Sequence, residues 1–402
     1  MSGFLTEPSR KLPVSHRCNV VVAGGGIAGV AAAISAARTG ASVTLVEKQC
    51  LLGGLATSGL VTLYLPLCDG LGNQLSFGIA EELLHLSILH GAQEMYPDAW
   101  LNGHDIKARR AQRYEVQFNP YYFAIEMEQL LLREGVQISY DTRICDVHME
   151  DRRVTSIIVE NQDGRCVIQT GAAVDATGDA LLLQRAGAAT RPNEKGNKVA
   201  GWYYAFTPEK PKLTMLGFSD FVPGTERNFS SSSSEKRFMA QTAKDISDYL
   251  IASHASTLSH ALMQVQKDKR FELMDIVNMP QFRMTRCLCG EYEMTESDDG
   301  KPQDDSVGMI GDWRKKGPRF EVPFSALCAD QLENIFAAGR CISADNAMWD
   351  ISRAIPACSV TGQAAGAAAA LSANGSRTAV DELQKALYTA GQKLHFTDLA
   401  NE

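Results

Sequence analysis

The chain has 402 residues, of which 45% are apolar and 21% charged. This balance excludes wholesale disorder and is typical of a folded protein with about two or three structural units. The net charge of −8 argues against a nucleic-acid-binding protein, because contacts with phosphates need a basic surface. The ten cysteines are scattered, and only Cys287 and Cys289 lie close together, so we expect reduced thiols and no metal site. No apolar segment precedes Val20, which predicts a cytoplasmic protein without a targeting signal.

The first predicted unit is a strand, a glycine turn, a helix and a second strand. The valines at 20–22 are β-branched, as a buried parallel strand prefers, and the stretch 24–29 fits G-x-G-x-x-G. An alanine-rich helix is predicted over 27–38, and Glu47 ends the second strand. A membrane span over the same stretch would contain more Leu, Ile and Phe. The glycines let a pyrophosphate approach the helix N-terminus and the acid binds a ribose hydroxyl, so the pattern predicts a dinucleotide site.

Glycine-rich stretches recur after the second strand. The pair Gly53–Gly54 precedes small and hydroxyl-bearing residues at 56–59. Two later predicted strands also lead into glycine motifs, at 176–179 and 338–340. Because the carboxyl ends of strands gather at one edge of a doubly wound sheet, a ligand that contacts all of these motifs must be extended. FAD is a ligand of this kind.

Six stretches carry a resemblance that covers most of the chain: VVVAGGGIAGVAAAISAARTGASVTLVEK, GGLATSGLV, VDATGD, PQFRMTRCLCGEYEM, AGRCISA and RAIPACSVTGQAAGAAAAL. Together they resemble the FAD-dependent oxidoreductases with a glutathione-reductase-type flavin fold, in the branch related to the fumarate reductase and succinate dehydrogenase flavoproteins. The resemblance implies an α/β protein. It would have a discontinuous, Rossmann-like FAD-binding domain and a smaller α+β substrate or cap domain.

Some members of the resembled family hold the flavin covalently, but no histidine lies in the stretch 53–68 of this chain, so we expect noncovalent FAD. The first glycine turn and its acid would hold the ADP half, the glycine pair would run past the flavin, and a strand near 142–144 would contact adenine. A helix opening near Thr361 would present its positive end to the flavin N1–O2 edge. The predicted FAD-binding residues are Gly24, Gly26, Ile27, Ala28, Gly29, Glu47, Lys48, Gly53, Gly54, Leu55, Ala56, Thr57, Ile144, Thr177, Gly178, Gly339, Arg340, Thr361, Gly362 and Gln363.

The flavin-binding part is predicted to be discontinuous along the sequence. A hairpin with its turn at Asp163-Gly164 is predicted before the 176–179 motif. In the middle of the chain, a serine run at 230–234 is predicted as a loop and helix cap, followed by a helix from Glu235 to about Gln266. The predicted division is an FAD-binding domain at 15–65, 120–190 and 330–375, a substrate or cap domain at 66–119 and 191–329, and a C-terminal helical segment at 376–402.

Arginines are the main candidates for substrate binding. In the resembled family the stretch FRMTR lies on a strand that faces the flavin, where an arginine can clamp a carboxylate. Arg283 and Arg286 would point to opposite faces of such a strand, so only one of them would reach the substrate. Arg353, just before the flavin-facing helix, would bind substrate or support its loop. His104 and Asp312 complete the candidate set.

These features predict an FAD-dependent oxidoreductase that transfers a hydride between a small organic substrate and flavin N5. The alternatives are an alkene reductase of the fumarate type, a noncatalytic flavin-binding redox sensor, and an RNA-modifying flavoprotein, which the net charge of −8 disfavours. We expect a small-molecule substrate, a further electron donor or acceptor, and no nucleic-acid or membrane partner. The sequence leaves the substrate, the direction of the reaction, the electron partner and the oligomeric state open.

Overall fold

A computed structural model describes residues 3, 5, 7–90, 96–101, 105–112, 115–207, 210–217 and 236–401. The serine run at 230–234 and the candidate His104 lie outside the described residues. The strands are β1 (Val14–Ala23), β2 (Val43–Val46), β3 (Leu63–Tyr64), β4 (Val116–Gln117), β5 (Gln137–Ser139), β6 (Arg143–Glu150), β7 (Arg153–Asn161), β8 (Gly164–Asp175), β9 (Thr190–Pro192), β10 (Asn197–Lys198), β11 (Tyr203–Phe206), β12 (Pro211–Thr214), β13 (Arg237–Phe238), β14 (Glu272–Ile276), β15 (Arg286–Leu288), β16 (Ser306–Gly311), β17 (Arg319–Pro323) and β18 (Ile335–Ala337). The helices are α1 (Ile27–Arg38), α2 (Ile79–Ile88), α3 (Asp98–Leu101), α4 (Ile106–Ala111), α5 (Pro120–Arg133), α6 (Leu181–Arg185), α7 (Ala243–Lys267), α8 (Asn346–Ser352), α9 (Ile355–Ser372) and α10 (Val380–Thr389).

A seven-stranded sheet organises the molecule, with the order β5-β2-β1-β8-β7-β6 and β18 also paired with β8. The strands β5, β2, β1, β8 and β18 run parallel, whereas β7 and β6 are antiparallel additions. Val22 of β1 lies between Leu45 of β2 and Val174 of β8, and all three are buried. Both neighbours of β1 therefore end at the same edge of the sheet, as the valine-rich sequence predicts for a buried parallel strand.

Helices α1 and α9 pack against each other at the centre of the molecule through small residues. A β-carbon at Gly362 would lie 2.3 Å from the Ala28 carbonyl oxygen, and one at Gly366 would lie 2.1 Å from that of Ala32. Side chains at these two positions would push the helices apart. The alanine and glycine content of both helices is therefore explained by close packing.

Two predicted elements have the expected bounds. Helix α1 spans Ile27–Arg38, as the alanine-rich stretch predicts. Strands β7 and β8 form an antiparallel hairpin, and Gly164 at its turn has a φ of 88°, a left-handed conformation that glycine favours.

The long helix of the middle region begins later than its sequence predicts. It was expected from Glu235, but α7 begins at Ala243, after Thr242, whose side chain accepts a hydrogen bond from Asp245 N at 3.1 Å. Arg237 and Phe238 instead form strand β13, which pairs with β10, so the backbone at these two residues is not helical. The threonine cap was visible in the sequence, but the strand pairing depends on residues far away in the chain.

The predicted strand through FRMTR is also wrong in its extent. Strand β15 covers only Arg286–Leu288 and pairs with β9. Arg283 N and Met284 N both donate to Asn197 Oδ1, at 3.0 and 3.3 Å, so their backbone does not join a sheet ladder. The division into domains stays a prediction. Among the described helices none is by itself long and apolar enough to cross a membrane, although α8 and α9, bent by 88°, pass that test as a pair.

Candidate functional site

The site begins at the glycine turn between β1 and α1. Gly24 has a φ of 98°, and Gly24 N donates to the Val46 carbonyl at 2.8 Å, which ties the turn to β2. A β-carbon at Gly29 would lie 1.8 Å from the Gly24 carbonyl oxygen, so this position must lack a side chain for α1 to start. At Gly26, by contrast, a β-carbon would meet nothing within 4 Å. The turn is therefore tightly packed at Gly29 and open at Gly26.

Glu47 closes one end of this turn. Its carboxylate accepts hydrogen bonds from Gly25 N at 2.6 Å and from Gln49 N at 2.8 Å, and the residue is only 7% exposed. A buried carboxylate with two backbone donors is well compensated and holds the turn against β2.

The glycine pair that follows packs onto the first turn. Gly53 N donates to the Gly25 carbonyl at 2.8 Å, and a β-carbon at Gly54 would lie 3.3 Å from Gly26 Cα. The Thr57 hydroxyl donates to the Leu52 carbonyl and fixes the turn from behind. The two glycine segments therefore form two adjacent walls of one groove.

A third part of the site is the corner after β8. Asp175 is fully buried, and its carboxylate accepts from Thr177 N at 3.1 Å, from Thr177 Oγ1 at 2.7 Å and from Leu183 N at 2.9 Å. Burial raises the pKa of the Asp175 carboxyl above its ordinary value. The Arg340 guanidinium lies against Gly178, where a β-carbon would come within 2.1 Å of Arg340 Nη2.

The helix that faces the site begins six residues earlier than Thr361, the start that its sequence predicts. Helix α9 starts at Ile355, with the extended residue Ala354 as its N-cap and Pro356 in its first turn. Proline in a first helical turn is a start signal, and it was present in the sequence. Thr361, Gly362 and Gln363 are consequently buried in the helix interior, away from its N-terminus; their predicted place at the start of the helix was wrong.

These three residues support the site from behind. The Thr361 hydroxyl accepts from Gly339 N at 2.9 Å and so orients the 338–340 motif. Gln363 Oε1 accepts from Ile79 N at 2.9 Å and from Gln392 Nε2 at 2.8 Å, which connects α9 with α2 and the C-terminal region. Gly362 provides the close approach to α1.

An irregular segment at 278–283 forms the wall opposite the glycine turns. Gln281 Nε2 donates to the Gly59 carbonyl at 2.6 Å, and Asn278 N donates to the Ser58 carbonyl at 3.3 Å. From the other side, Arg340 Nη1 donates to the Phe282 carbonyl at 2.6 Å. The segment is thereby attached to two parts of the chain that are distant in sequence, and no local pattern predicts it.

All these parts enclose one cleft of about 390 Å³. Its volume falls within the range of about 300–1,000 Å³ that is usual for small-molecule sites. Of the predicted cofactor-binding residues, those that line it are Gly24, Gly26, Ile27, Ala28, Glu47, Lys48, Gly53, Gly54, Leu55, Ala56, Thr177, Gly178 and Arg340. Those that lie behind or beside it are Gly29, Thr57, Ile144, Gly339, Thr361, Gly362 and Gln363.

Comparison with known families identifies the family of the chain. The family described as FAD dependent oxidoreductase matches residues 19–208 and 202–390, almost the whole chain. The chain belongs to the FAD-dependent oxidoreductase family. It is therefore an FAD-dependent enzyme, and FAD is its cofactor. No match was found among curated proteins.

Solved structures similar to this FAD-dependent oxidoreductase include PqsL from P. aeruginosa in complex with 2-aminobenzoylacetate. It is 14% identical over 96% of this chain and 94% of that one, with a TM-score of 0.45. L-proline dehydrogenase from P. horikoshii is 12% identical over 90% and 93%, with a TM-score of 0.42. With p-nitrophenol 4-monooxygenase from Pseudomonas putida the identity is 14% and the TM-score 0.33, over 47% of this chain. The chain spans about half, 46%, of that monooxygenase.

The residues of the cleft fit FAD. Gly26 has no side chain where one would project into open space beside the N-terminus of α1, which leaves room for a pyrophosphate at the free N–H groups of the helix. Lys48, Gln49 and Arg143 line the cleft on the Glu47 side, where the adenosine half of FAD would lie. The N-terminus of α9 contributes Ala354 and Ile355 to the same cleft.

The candidate arginines of this FAD-dependent oxidoreductase differ in their position relative to the cleft. Arg283 and Arg353 line the cleft, whereas Arg286 does not. Arg286 Nη1 donates to Gln184 Oε1 at 2.8 Å, and its Nη2 donates to Gln241 Oε1, so its guanidinium joins neighbouring elements. Asp312 is buried outside the cleft lining and binds the Arg314 guanidinium.

Several lining residues were not identified from the sequence. Val61, Leu63 and Leu65 alternate along one strand-like stretch and present an apolar wall; this period of two was the available signal. Met279 and Phe282 add further apolar surface from the irregular segment at 278–283.

Proposed function

We propose that this enzyme transfers a hydride between a small organic anion and N5 of FAD. The observation that carries the proposal is the composition of this cleft. Its lining combines residues of the dinucleotide turn at 24–29 with apolar side chains and Arg283. When FAD is bound, its isoalloxazine ring supplies the two-electron chemistry. The roles described below belong to the side chains of this chain.

The apolar wall would hold the body of the substrate and exclude water. Val61, Leu63 and Leu65 belong to the same lining as Met279 and Phe282. Removal of water from such a chamber strengthens electrostatic contacts inside it and prevents side reactions. An organic substrate with an apolar or aromatic body fits this lining.

Arg283 would bind the negative group of the substrate. The residue is only 3% exposed, and its guanidinium lies over the Trp202 ring, with Cζ 5.3 Å from the ring centroid. The planar, forked guanidinium is the side chain best suited to bidentate pairing with a carboxylate. The carboxylate would thereby be held at one orientation relative to the ring, which favours hydride transfer over a short distance.

The N-terminus of α9 would stabilise negative charge at its own border of the cleft. Ala354 caps the helix without a side-chain hydrogen bond, and Ile355 lines the cleft. The positive end of the helix dipole favours an anionic ring edge there. A further electron donor or acceptor is needed to complete the catalytic cycle.

The direct test is an anaerobic substrate screen with the purified flavoprotein. A panel of carboxylic acids, amino acids and 2-hydroxy acids is mixed with the oxidised enzyme, and neutral esters of the same compounds serve as controls. We expect at least one acid to bleach the flavin absorption, and its ester to bleach it far more slowly. Bleaching by the esters at equal rates would contradict the role of an anion.

Arg283→Met tests the anion site in the active enzyme. Loss of a charge-assisted hydrogen bond of about 1.5–3 kcal/mol should raise KM for the anionic substrate by roughly 10- to 100-fold. Arg286→Met is the matched control, because Arg286 lies outside the cleft lining. Equal changes of KM in both variants would refute the assignment of Arg283.

A further inference from the structure

We propose that Arg353 and Asp350 together set the reduction potential of the bound flavin. In this pair, Arg353 supplies a positive charge at the cleft, and Asp350 is a positioning residue that fixes and partly neutralises this charge. The proposal rests on FAD binding in the cleft and is independent of the identity of the substrate.

Arg353 stands at the junction of the two helices that face the cleft. It is the C-cap of α8, and the next residue, Ala354, is the N-cap of α9. The Cys358 thiol donates to the Arg353 carbonyl at 3.3 Å, so the backbone at this junction is held by the first turn of α9. Arg353 lines the cleft together with Ala354, Ile355 and Cys358. A residue with a full positive charge and the positive end of a helix therefore meet at this border of the cleft.

The position of the Arg353 guanidinium is fixed by a buried carboxylate. Its Nε donates to Asp350 Oδ1 at 2.9 Å, and its Nη2 donates to the same oxygen. The Asp350 side chain is only 3% exposed and that of Arg353 11%. An ion pair that is shielded from water in this way is weakly screened by salt and strongly affects neighbouring charges.

Trp313 holds the pair from a second direction. The Arg353 Cζ lies 5.5 Å from the centroid of the Trp313 ring, and the indole Nε1 donates to the Asp350 carbonyl at 2.8 Å. One tryptophan thus contacts both partners of the ion pair. Because the two contacts are made by one rigid side chain, the Arg353 guanidinium has little freedom to move.

A second arginine stabilises the charge of Asp350. Arg314 Nη1 lies 3.6 Å from Asp350 Oδ2, while Arg314 Nε and Nη2 donate to the two carboxylate oxygens of Asp312, both at 2.9 Å. Glu296 also accepts from Arg314. Two guanidinium groups and three carboxylates therefore form one cluster. Asp312, which the sequence suggested as a site residue, belongs to this cluster and does not line the cleft.

The sign of the effect follows from the charge of the flavin. Reduction places negative charge on the ring, so a nearby cation stabilises the reduced state and raises the midpoint potential. A nearby anion has the opposite effect. Removal of Arg353 should therefore lower the potential, and removal of the Asp350 charge should raise it.

The test measures the midpoint potential of FAD bound to four variants and the unmodified enzyme. We expect a lower potential in Arg353→Gln, a potential close to that of the unmodified enzyme in Arg353→Lys, and a higher potential in Asp350→Asn. Asparagine retains an oxygen that accepts from Arg353, so the geometry is kept while the charge is lost. Glu291→Gln is the control, because Glu291 pairs with Arg377 outside the cleft lining. It should leave the potential unchanged.

Shifts of the midpoint potential in opposite directions in the Arg353 and Asp350 variants support the proposal, because a general disturbance of the site would not produce opposite signs. Shifts of the same sign, or shifts no larger than that of Glu291→Gln, overturn it. If Arg353→Gln does not retain FAD, the midpoint potential of Asp350→Asn alone tests the proposal. An unchanged or lowered potential in Asp350→Asn rejects it. Failure of the substrate screen leaves this measurement unaffected, since the potential is measured without a substrate.

Discussion

At the scale of single residues, two glycines of the first turn are required for different reasons. A β-carbon at Gly29 would collide with the Gly24 carbonyl oxygen at 1.8 Å, so Gly29 is needed for the chain to fold. A β-carbon at Gly26 would meet no protein atom within 4 Å and would project into the cleft. We therefore propose that Gly26 is needed for cofactor binding and not for folding, and experiments on the two glycines can distinguish these roles.

Gly26→Ala should leave the fold intact and weaken FAD binding. The methyl group would occupy space that the cofactor needs, and overpacking of about 1.4 kcal/mol or more corresponds to a rise in Kd of roughly tenfold or more. Titration of the apoprotein with FAD measures Kd, and chemical denaturation of the apoprotein measures stability.

Gly29→Ala is the companion variant. It should destabilise the apoprotein itself, by about 3 kcal/mol, because the methyl group has no room beside the turn. If Gly26→Ala destabilises the apoprotein as much as Gly29→Ala does, the distinction between the two positions is wrong.

At the scale of elements, the contact between α1 and α9 holds the site together. The first helix carries the dinucleotide turn, and the second presents its N-terminus to the same cleft. Gly362 and Gly366 of α9 face carbonyl oxygens of α1, with no room for a side chain. The relative position of the glycine turn and the start of α9 thus depends on this contact.

Gly366→Ala should lower the free energy of unfolding by about 2–3 kcal/mol, because a methyl group must be forced between two tightly packed helices. Gly375→Ala is the matched control, since a β-carbon there would meet nothing within 4 Å. Urea denaturation of both variants measures the difference. A loss in Gly375→Ala as large as that in Gly366→Ala would show that helix packing is not the cause.

At the scale of the whole molecule, the cleft exists only because distant segments meet. The turn at 24–29, the corner at 176–179, the wall at 278–283 and the start of α9 are far apart in the sequence. Arg340 joins two of them, since its guanidinium lies against Gly178 and donates to the Phe282 carbonyl. A ligand that contacts all four should stabilise the complete fold.

FAD at 100 times its Kd should raise the free energy of unfolding by about 2.7 kcal/mol, through mass action on the folded state. Thermal denaturation at increasing FAD concentrations measures this effect. FMN is the control, because it lacks the adenosine half that would lie on the Glu47 side. Equal stabilisation by FMN and FAD at equal concentrations would show that this half of the cleft is not used.

The sequence by itself determined the first crossover and the family of the protein. The bounds of α1 and the glycine motif are encoded within one short stretch, where side-chain period, β-branching and glycine content act locally. The hairpin at Asp163-Gly164 follows the same rule, since its turn residues suffice to define it.

Only the tertiary structure decided which side chains line the cleft. Arg283 lines the cleft and Arg286 does not. The backbone at 283–284 donates to the Asn197 side chain instead of joining a sheet, and two glutamines bind the Arg286 guanidinium. The wall at 278–283 likewise depends on packing of segments that are distant in sequence. Contacts of this kind are set by the three-dimensional packing of the chain and leave no periodic signal in it.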